Sequence, residues 1–542
     1  MKSALLLLAA VLICGNVSFA AEPPAAKPNV VFIMADDLGI GDVGCYGKEL
    51  CKIDTPHIDA LATQGMRFTD AHSVASVCVP VRVAIMTGRY PWRIQGAGRG
   101  GPWGFLSPRM PTGHFTLGRM MRKIGYRTGY VGKWHLGTRM PTTDGKPQGL
   151  ENVDYTRPLE IGPPQYGFDH SFILPGSLDM YPYVFVRNGQ FVGQVTAQRG
   201  WSAFNRVGPT AADFEDYKVL DTLSREAEQF VARSAEAARD GKPFFLYFAL
   251  TAPHTPTCPS PAFEGKSKLG LYGDFVAETD DCVGRITKSL KQHGLDQNTL
   301  VIVTSDHGPA PYAGNVRKAT VDNLRDLEKL GHHSSGIYRG YKFSVYEGGL
   351  RVPLVVRYPG VVRPGTQCDR LVGLNDLMRT LADLCGYEPA DDEAPDSISF
   401  LPLLRDPAAE SPRTSLVMQG THAFVIRRGK WKLAICPGSG CQGAWGNTPS
   451  QNDAWQQAVE QFGRKPSPAD LRAAPFVQLF DLEHDVREQK NVAAEHPEIV
   501  QQLFDLLDGR IAAGRSTPGE ELTNDVPNPN YHSRIPPFVR QR

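Results

Sequence analysis

The most chemically suggestive stretch of the sequence is residues 76–89, which contains Cys78, Pro80 and Arg82. Proline favours the first turn of a helix and glycine the position just past its end, so Pro80 and Gly88 predict a short helix that begins near Cys78. Arg82 follows Cys78 by one turn on the same face. A reactive group on Cys78 would lie at the positive end of the helix dipole, near a guanidinium. The stretch therefore predicts a site that handles an anion.

Two adjacent carboxylates follow the first strand that the sequence predicts. Residues 29–34 are apolar without alternation, which is typical of a strand buried on both faces of a parallel sheet, and Asp36 and Asp37 come directly after them. Ligand sites in open α/β sheets lie at the carboxyl ends of strands, and adjacent carboxylates repel each other unless a cation lies between them. We interpret Asp36 and Asp37 as metal ligands; a helix cap or a turn is the alternative.

Basic side chains follow two further predicted strands. Lys133 and His135 come after the strand at 127–131, and in an extended segment they point to the same side. A fixed cation and a titratable imidazole suit an oxyanion substrate, although such a pair is more often a solvated edge. His254 follows the strand at 243–250 and lies between two prolines, which suits a general acid; a histidine bonded to backbone in a tight turn is the alternative.

Taken in order, these motifs resemble the type I sulfatases, arylsulfatase-like members of the alkaline phosphatase superfamily. The resemblance covers residues 29–491. It rests on the Asp pair and four further motifs: Cys-x-Pro-x-Arg at 78–82 with a Thr-Gly-Arg turn, Gly-Lys-Trp-His at 132–135, Ser-Asp-His-Gly at 305–308, and Gly-x-Lys at 340–342.

The resemblance implies that a formylglycine-generating enzyme converts Cys78 to formylglycine. The aldehyde hydrates to a geminal diol, of which one hydroxyl attacks sulfur and the other later expels sulfate. A cation is also implied, held by Asp36, Asp37, Asp306, His307 and an oxygen of the modified Cys78. Three carboxylates form a hard-ligand shell that favours Ca²⁺, with Mg²⁺ as the alternative, and the His307 nitrogen is the poorest match to such an ion.

The remaining site residues are implied in the same way. Arg82 and the cation stabilise the alkoxide of the nucleophile, and His135 is the base for its second hydroxyl. His254 or Lys342 protonates the leaving alcohol. The substrate-binding set is Lys133, Ser177, His254 and Lys342.

The fold implied is an α/β, alkaline-phosphatase-like sandwich, with a large mixed, mostly parallel sheet flanked by helices and a smaller C-terminal α+β subdomain that contains an antiparallel sheet. The composition turns polar near residues 405–412, and short predicted strands and a helix at 497–511 follow. We expect the following division: a signal peptide at 1–21, a catalytic domain at 22–410, the C-terminal subdomain at 411–513 and an extended tail at 514–542. Residues 138–216 are predicted to be irregular.

Composition and the N-terminus limit the functional class. A chain of 542 residues is long for one core, while a net charge of +1 with 21% charged residues argues against nucleic acid as a partner. The apolar run at 4–13 and the small residues at 18–21 predict a cleaved signal peptide, hence a periplasmic or secreted protein. This run is too short to span a bilayer, and no other long apolar run predicts stable membrane insertion.

The ten cysteines include Cys14, which the signal peptide would remove. Export permits disulfides, and the pairs Cys45 with Cys51 and Cys436 with Cys441 could close, although spacing alone does not establish either. The remaining cysteines outside the motif are predicted to be packed thiols, because no Cys-x-x-Cys spacing indicates a metal site.

An exported sulfatase points to a sulfated carbohydrate as the substrate, with aryl sulfates as a second class. The loops predicted to shape the pocket are 96–114, 138–216, 309–339 and 436–475, and their aromatics that could stack on sugars include Trp103, Tyr181 and Trp445.

Two other functions remain open from the sequence. A phosphonate monoester or phosphodiester hydrolase can share the Cys-x-Pro-x-Arg motif, and assays of matched sulfate and phosphonate esters separate the two. An exported Ca²⁺-dependent glycan-binding protein would keep Cys78 as a thiol, and peptide mass spectrometry identifies that case.

Overall fold

The computed structural model describes residues 27–97, 106–201, 205–313, 324–420, 423–436, 438–440 and 477–526. The expected signal peptide, Cys14, Trp103, Cys441, Trp445 and the end of the expected tail lie outside these ranges. Within them, no helix combines the length and the apolar character needed to cross a bilayer.

The strands in chain order are β1 (Asn29–Asp36), β2 (Met66–Phe68), β3 (Ala71–His72), β4 (Arg127–Lys133), β5 (His170–Leu174), β6 (Phe185–Arg187), β7 (Gln190–Val192), β8 (Val195–Arg199), β9 (Gly208–Ala211), β10 (Phe244–Pro253), β11 (Thr299–Ser305), β12 (Leu354–Arg357), β13 (Thr366–Cys368), β14 (Val372–Gly373), β15 (Ser415–Gln419), β16 (Phe424–Arg428), β17 (Trp431–Ala434) and β18 (Gln478–Asp481). The helices are α1 (Gly44–Gly47), α2 (Pro56–Gln64), α3 (Cys78–Thr87), α4 (Leu117–Lys123), α5 (Val219–Arg239), α6 (Gly270–Gln292), α7 (Leu324–Lys329), α8 (Glu347–Leu350), α9 (Leu377–Cys385), α10 (Leu401–Arg405) and α11 (Pro497–Ala512).

In the described part of the chain, ten strands form the main sheet, in the order β13-β2-β12-β11-β1-β10-β4-β5-β6-β7. Its centre, β11-β1-β10-β4-β5, is parallel, and β12, β6 and β7 pair antiparallel to their neighbours. Every residue of β1, β10 and β11 is buried, while α5 and α6 pack on β10 and α4 on β4. Because these strands are buried on both faces, their sequences are continuously apolar. The predicted fold class is confirmed.

The expectation that residues 138–216 are irregular is wrong, because this segment contains β5 to β9. β5 pairs in parallel with β4 and adds a strand to the main sheet, while β8 and β9 form a separate antiparallel pair. The pattern was hard to recognise because β6 and β7 have three residues each and the central residues of β8 are exposed. Short, solvated strands show neither an apolar run nor a clear alternation.

The smaller sheet has the order β15-β16-β17-β18, all antiparallel, and α11 packs on β16 and β17. This is the predicted C-terminal α+β unit, although the domain boundaries themselves stay predictions. Cys45 and Cys51 are free thiols, so the first of the two candidate disulfides is not formed. Cys436 is also a free thiol, and its candidate partner lies outside the described residues.

A buried ion network joins the small sheet to α8 and β3. The Glu347 carboxylate accepts hydrogen bonds from His72 Nε2 at 2.8 Å, Arg351 Nε at 2.7 Å and Lys432 Nζ at 2.8 Å. Lys432, on β17, also lies 2.7 Å from Glu488 Oε1, and the side chains of this lysine and both glutamates are fully buried. Burial would raise the pKa of Glu347, but Lys432 and His72 hold it well below its usual range. Removal of any one of these charged side chains would therefore leave a buried charge without its partner and destabilise the fold.

The matched substitutions Lys432→Met and Lys430→Met test the network. Lys432→Met leaves two buried carboxylates without their ammonium, so we expect the free energy of unfolding to fall by about 3–5 kcal/mol. The Lys430 side chain is 37% exposed and pairs with Asp481, so its loss is expected to change stability by less than about 1 kcal/mol. Urea unfolding followed by fluorescence measures both, and equal effects of the two substitutions would contradict the account.

Candidate active site

The parallel strands bring distant motifs to one edge of the sheet. Asp36 is the last residue of β1 and Lys133 the last of β4, while His254 follows β10 and Asp306 follows β11. Because these four strands are adjacent and parallel, their carboxyl ends meet, as the placement of ligand sites in α/β sheets requires. Residues separated by up to 270 positions therefore lie in one cluster.

Three aspartates form the centre of this cluster. The backbone N–H of Asp37 donates to Asp306 Oδ1 at 3.1 Å, and Arg82 Nη2 lies 3.0 Å from Asp306 Oδ2 and 3.4 Å from Asp36 Oδ1. All three carboxylates and Arg82 are buried. The spacing of α3 predicted a guanidinium beside Cys78, but the structure directs that of Arg82 to two of the carboxylates. Its charge offsets their mutual repulsion.

Burial and neighbouring charges set the pKa values of two aspartates apart. Burial would raise the pKa of Asp36, but Lys133 and His254 lead the positive groups that hold it well below its usual range. Burial raises the pKa of Asp37 to about 7, with Asp36 adding to the shift and Lys342 opposing it. A second cation near Asp37 would therefore stabilise its ionised form.

Two buried lysines bind these carboxylates. Lys133 Nζ lies 2.5 Å from Asp36 Oδ2, and Lys342 Nζ lies 2.7 Å from Asp37 Oδ1. Burial alone would lower the pKa of each lysine, but its aspartate partner leads the charges that raise it. Both ammonium groups are therefore charged, and they supply two cations at one edge of the sheet.

Cys78 begins α3, as its spacing predicted, and lies against His307. The Nδ1–H of His307 donates to the Gly308 carbonyl at 2.9 Å, and its Nε2 lies 3.2 Å from Cys78 Sγ. Burial lowers the pKa of His307 to about 4, so its ring is neutral and Nε2 accepts the thiol hydrogen. Burial raises the pKa of the Cys78 thiol, so an unmodified Cys78 is a poor nucleophile.

The two remaining histidines lie at the same edge. His254 donates from Nδ1 to the Thr255 carbonyl at 2.5 Å, and its Nε2 lies 3.7 Å from Asp37 Oδ2. His135 has a positive φ of 51°, so it does not continue β4, and the predicted extended Lys-x-His segment is wrong. Neither ring nitrogen of His135 has a hydrogen-bond partner among the described residues. Burial holds the pKa of both histidines well below its usual range. The charge of Lys342 adds to the shift of His254, and that of Lys133 adds to the shift of His135.

The backbone at this edge is unusual at three non-glycine residues. Asp37, His135 and Phe343 have φ values of 65°, 51° and 76°, in the left-handed region that side chains with a Cβ rarely adopt. Such strain persists only where the surrounding structure enforces it, and it is common at functional sites.

Ser177 lies in the turn after β5, and its buried hydroxyl has no hydrogen-bond partner among the described residues. Asp179, which ends the same Pro-Gly-Ser-Leu-Asp run, was not identified from the sequence although its proximity to Ser177 was a usable signal. Burial raises the pKa of Asp179, and Arg206, Lys133 and Lys342 oppose this shift. Tyr181 is mostly buried against Gly208, so it is not available for the predicted stacking on a sugar.

The site residues fit a hard cation. The ligand atoms of Asp36, Asp37, Cys78 and His254 lie within 4.8 Å of one another, as do those of Cys78, Asp306 and His307. Asp36 Oδ1 is buried and makes no hydrogen bond to any described residue. Carboxylate oxygens are the ligands that Ca²⁺ and Mg²⁺ prefer. The edge is therefore a candidate metal centre.

A second group with metal-like spacing, Asp70, His72 and Glu347, does not fit a cation as well. Arg351 and Arg427 bind Asp70 at 2.8 Å and 2.6 Å, and Lys432 binds Glu347. These side chains already neutralise both carboxylates.

Buried cations, three aspartates and a helix N-terminus define a hydrolase-type site for an anionic ester. Comparison with known proteins agrees. The sequence model of the sulfatase family matches residues 28–387, well over half of the chain. The chain therefore belongs to the sulfatase family, within the alkaline phosphatase superfamily. Its relatives include named sulfatases, and the predicted enzyme class, a sulfuric ester hydrolase, is confirmed.

Individual relatives cover most of the chain. It is 33% identical to an N-acetylgalactosamine-6-O-sulfatase of Bacteroides thetaiotaomicron, over 89% of this chain and 93% of the relative, and 31% identical to human arylsulfatase A, over 91% and 90%. A solved structure from work on the metabolism of multiple glycosaminoglycans by B. thetaiotaomicron superposes with a TM-score of 0.73 at 31% identity, over 90% of this chain and 99% of the other.

Divalent cations test which acidic cluster binds metal. We expect Ca²⁺ or Mg²⁺ at 100 times its Kd to stabilise the protein by about 2.7 kcal/mol and so raise its Tm. Asp37→Asn should abolish the increase. The matched substitution Asp481→Asn, in a partly exposed group of Asp481, Glu483 and His484, should leave it intact. The opposite pattern in thermal unfolding would show that the metal binds elsewhere.

Proposed function

We propose that this protein hydrolyses sulfate monoesters of carbohydrates, using a formylglycine made from Cys78 and a bound Ca²⁺. One observation carries the proposal: a buried cysteine at a helix N-terminus shares a strand edge with three aspartates and two charged lysines. Burial raises the pKa of the Cys78 thiol, which disfavours the thiolate as the nucleophile and supports a modified residue at this position. Membership of the sulfatase family favours sulfate monoesters over phosphonate esters.

The hydrated formylglycine would supply one hydroxyl that attacks sulfur and a second whose deprotonation expels the sulfate. Bound Ca²⁺, held by Asp36, Asp37, Asp306 and an oxygen of residue 78, would stabilise negative charge on the nucleophile. Arg82 adds positive charge behind Asp36 and Asp306. His307 lies near enough to be a further ligand, although its nitrogen suits Ca²⁺ less well than the carboxylates do.

Lys133 and Lys342 bind the sulfate oxygens in this proposal. In the structure each ammonium is bonded to one aspartate, and neutralising those carboxylates would leave the lysines available to an anionic substrate. Because both groups are buried, their attraction to a sulfate would be stronger than at a solvated surface. Ser177 adds a hydroxyl beside them.

Proton transfer falls to Lys342, His254 and His135. The leaving alcohol needs a proton, and the charged Lys342 carries one, whereas the Nε2 of the neutral His254 faces Asp37 as an acceptor. We therefore favour Lys342 as the acid, and His254 donates to a sulfate oxygen only when its Nε2 is protonated. His135 is neutral with both ring nitrogens unpartnered among the described residues, which suits a base for the second hydroxyl.

The domain bounds, export, maturation partner, substrate and choice of metal are part of the same proposal. The catalytic unit spans 22–410 and the smaller one 411–513, while residues 1–21 direct export to the periplasm or beyond and are removed. A formylglycine-generating enzyme is the maturation partner, and a sulfated glycan is the substrate, as the name of the Bacteroides relative indicates for that protein. Ca²⁺ is favoured over Mg²⁺ because three carboxylates can complete a flexible shell of six to eight oxygens.

Mass spectrometry and kinetics together test the nucleophile. In protein produced with a formylglycine-generating enzyme, we expect the peptide containing residue 78 to have lost sulfur and gained oxygen. Cys78→Ala should lower kcat/KM for a sulfate ester by at least about 10³-fold. The control Cys282→Ala removes another buried thiol, on α6, and should retain activity. An active Cys78→Ala variant would refute the assignment.

A further inference from the structure

The turn that contains Ser177 is fixed beside the segment of Lys133, which binds the sulfate in the proposed function. The backbone N–H of His135 donates to the Pro175 carbonyl at 3.1 Å, so the chain after β5 runs along the Lys133 segment. The N–H of Met180 then donates to the Ser177 carbonyl at 3.2 Å and closes a tight turn. Residues 177–180, the Ser177 turn, therefore lie next to the proposed sulfate site.

Three buried side-chain oxygens, two in the Ser177 turn and one on the neighbouring residue Asn205, lack donors. Ser177 Oγ, Asp179 Oδ1 and Asn205 Oδ1 have no hydrogen-bond partner among the described residues. The other polar atom of each longer side chain is fixed: Asp179 Oδ2 accepts from Arg206 Nη1 at 2.9 Å, and Asn205 Nδ2 donates to the Leu178 carbonyl at 2.8 Å. Native structures rarely leave buried acceptors without donors, so three on adjoining segments point to a ligand.

Two backbone contacts place this turn next to the Lys133 segment: the N–H groups of Trp134 and His135 donate to the carbonyls of Leu174 and Pro175 at 3.0 Å and 3.1 Å. The side chain of Asp179 is 11% exposed, so it is not sealed completely in the core.

The chemistry of these atoms defines what they can bind. The free oxygens of Asp179 and Asn205 only accept hydrogen bonds, and the Ser177 hydroxyl can do so as well. A sugar presents several hydroxyl donors, and a hexosamine adds an acetamido N–H. The ring of a simple aryl sulfate presents no donor.

We propose that Asp179 and Asn205 form a subsite that binds the hydroxyl or acetamido donors of the sugar that carries the sulfate, next to the Ser177 hydroxyl that binds the sulfate itself. The inference rests on the proposed function and specifies its substrate class. Asp179 and Asn205 select sulfated sugars over aryl sulfates, because a substrate without donors leaves their oxygens unpaired. A site built to bond such groups discriminates more strongly than an apolar pocket does.

The ratio of kcat/KM for a sulfated sugar to kcat/KM for an aryl sulfate tests the subsite. The matured enzyme is assayed with N-acetylgalactosamine 6-sulfate, a panel of other sulfated mono- and oligosaccharides, and 4-nitrophenyl sulfate. We expect Asp179→Ala and Asn205→Ala each to lower this ratio by about 10- to 100-fold. Asp179→Asn retains an acceptor oxygen and should lower it less. The control is Asp213→Asn, an exposed carboxylate just after β9, which should leave the ratio unchanged.

The outcomes separate this inference from the proposed function. If the wild-type enzyme cleaves neither class of ester, the proposed function fails. If it cleaves aryl sulfate but no sulfated sugar, or if neither alanine substitution changes the ratio, the sugar subsite is overturned while the sulfatase assignment stands. Because Asp179 also pairs with Arg206, Asp179→Ala is the variant more at risk of misfolding, and Asn205→Ala then decides the outcome alone.

Discussion

Three buried aspartates at one edge of a sheet repel one another, and the rest of the site is organised by that repulsion. In the structure, Arg82, Lys133 and Lys342 offset it directly, each at hydrogen-bond or ion-pair distance from a carboxylate. A divalent cation would do the same from the centre of the cluster and leave the lysines for a substrate. The same charges would therefore serve two purposes, holding the folded site together and binding an anionic ester.

The position of Lys342 depends on contacts well outside the sheet edge. Its backbone N–H donates to the Pro309 carbonyl at 2.9 Å, and the N–H of Phe343 donates to the Ser76 carbonyl at 2.8 Å. This loop is therefore bonded to the segment just before Cys78 and to the segment just after His307. The same loop continues into Glu347, whose carboxylate binds Lys432 of the small sheet. The small sheet is thus a structural support for a proposed catalytic lysine.

The sequence predicted the elements whose side chains are buried on both faces and the motifs at their ends. β1, β10 and β11 were recognisable because all their residues are buried and their apolar runs are unbroken, and Cys78 was placed at the start of α3 by Pro80 and Gly88. Contacts across the sheet were not predictable. The direction of Arg82 toward Asp36 and Asp306 depends on strand order, and the role proposed for Asp179 depends on β5, whose surroundings in sequence show no clear period.

The central claim is that Asp36, Asp37 and Asp306 hold one cation beside a modified residue 78. A crystal structure of matured protein at saturating Ca²⁺ tests it most directly. The account predicts one cation with oxygens of the three aspartates and of residue 78 at about 2.3–2.6 Å. It also predicts that Lys133 and Lys342 no longer have the carboxylates as their only partners and are available to a substrate. Density showing an unmodified thiol, or the three carboxylates still paired only with Arg82, Lys133 and Lys342 and no cation among them, would contradict it.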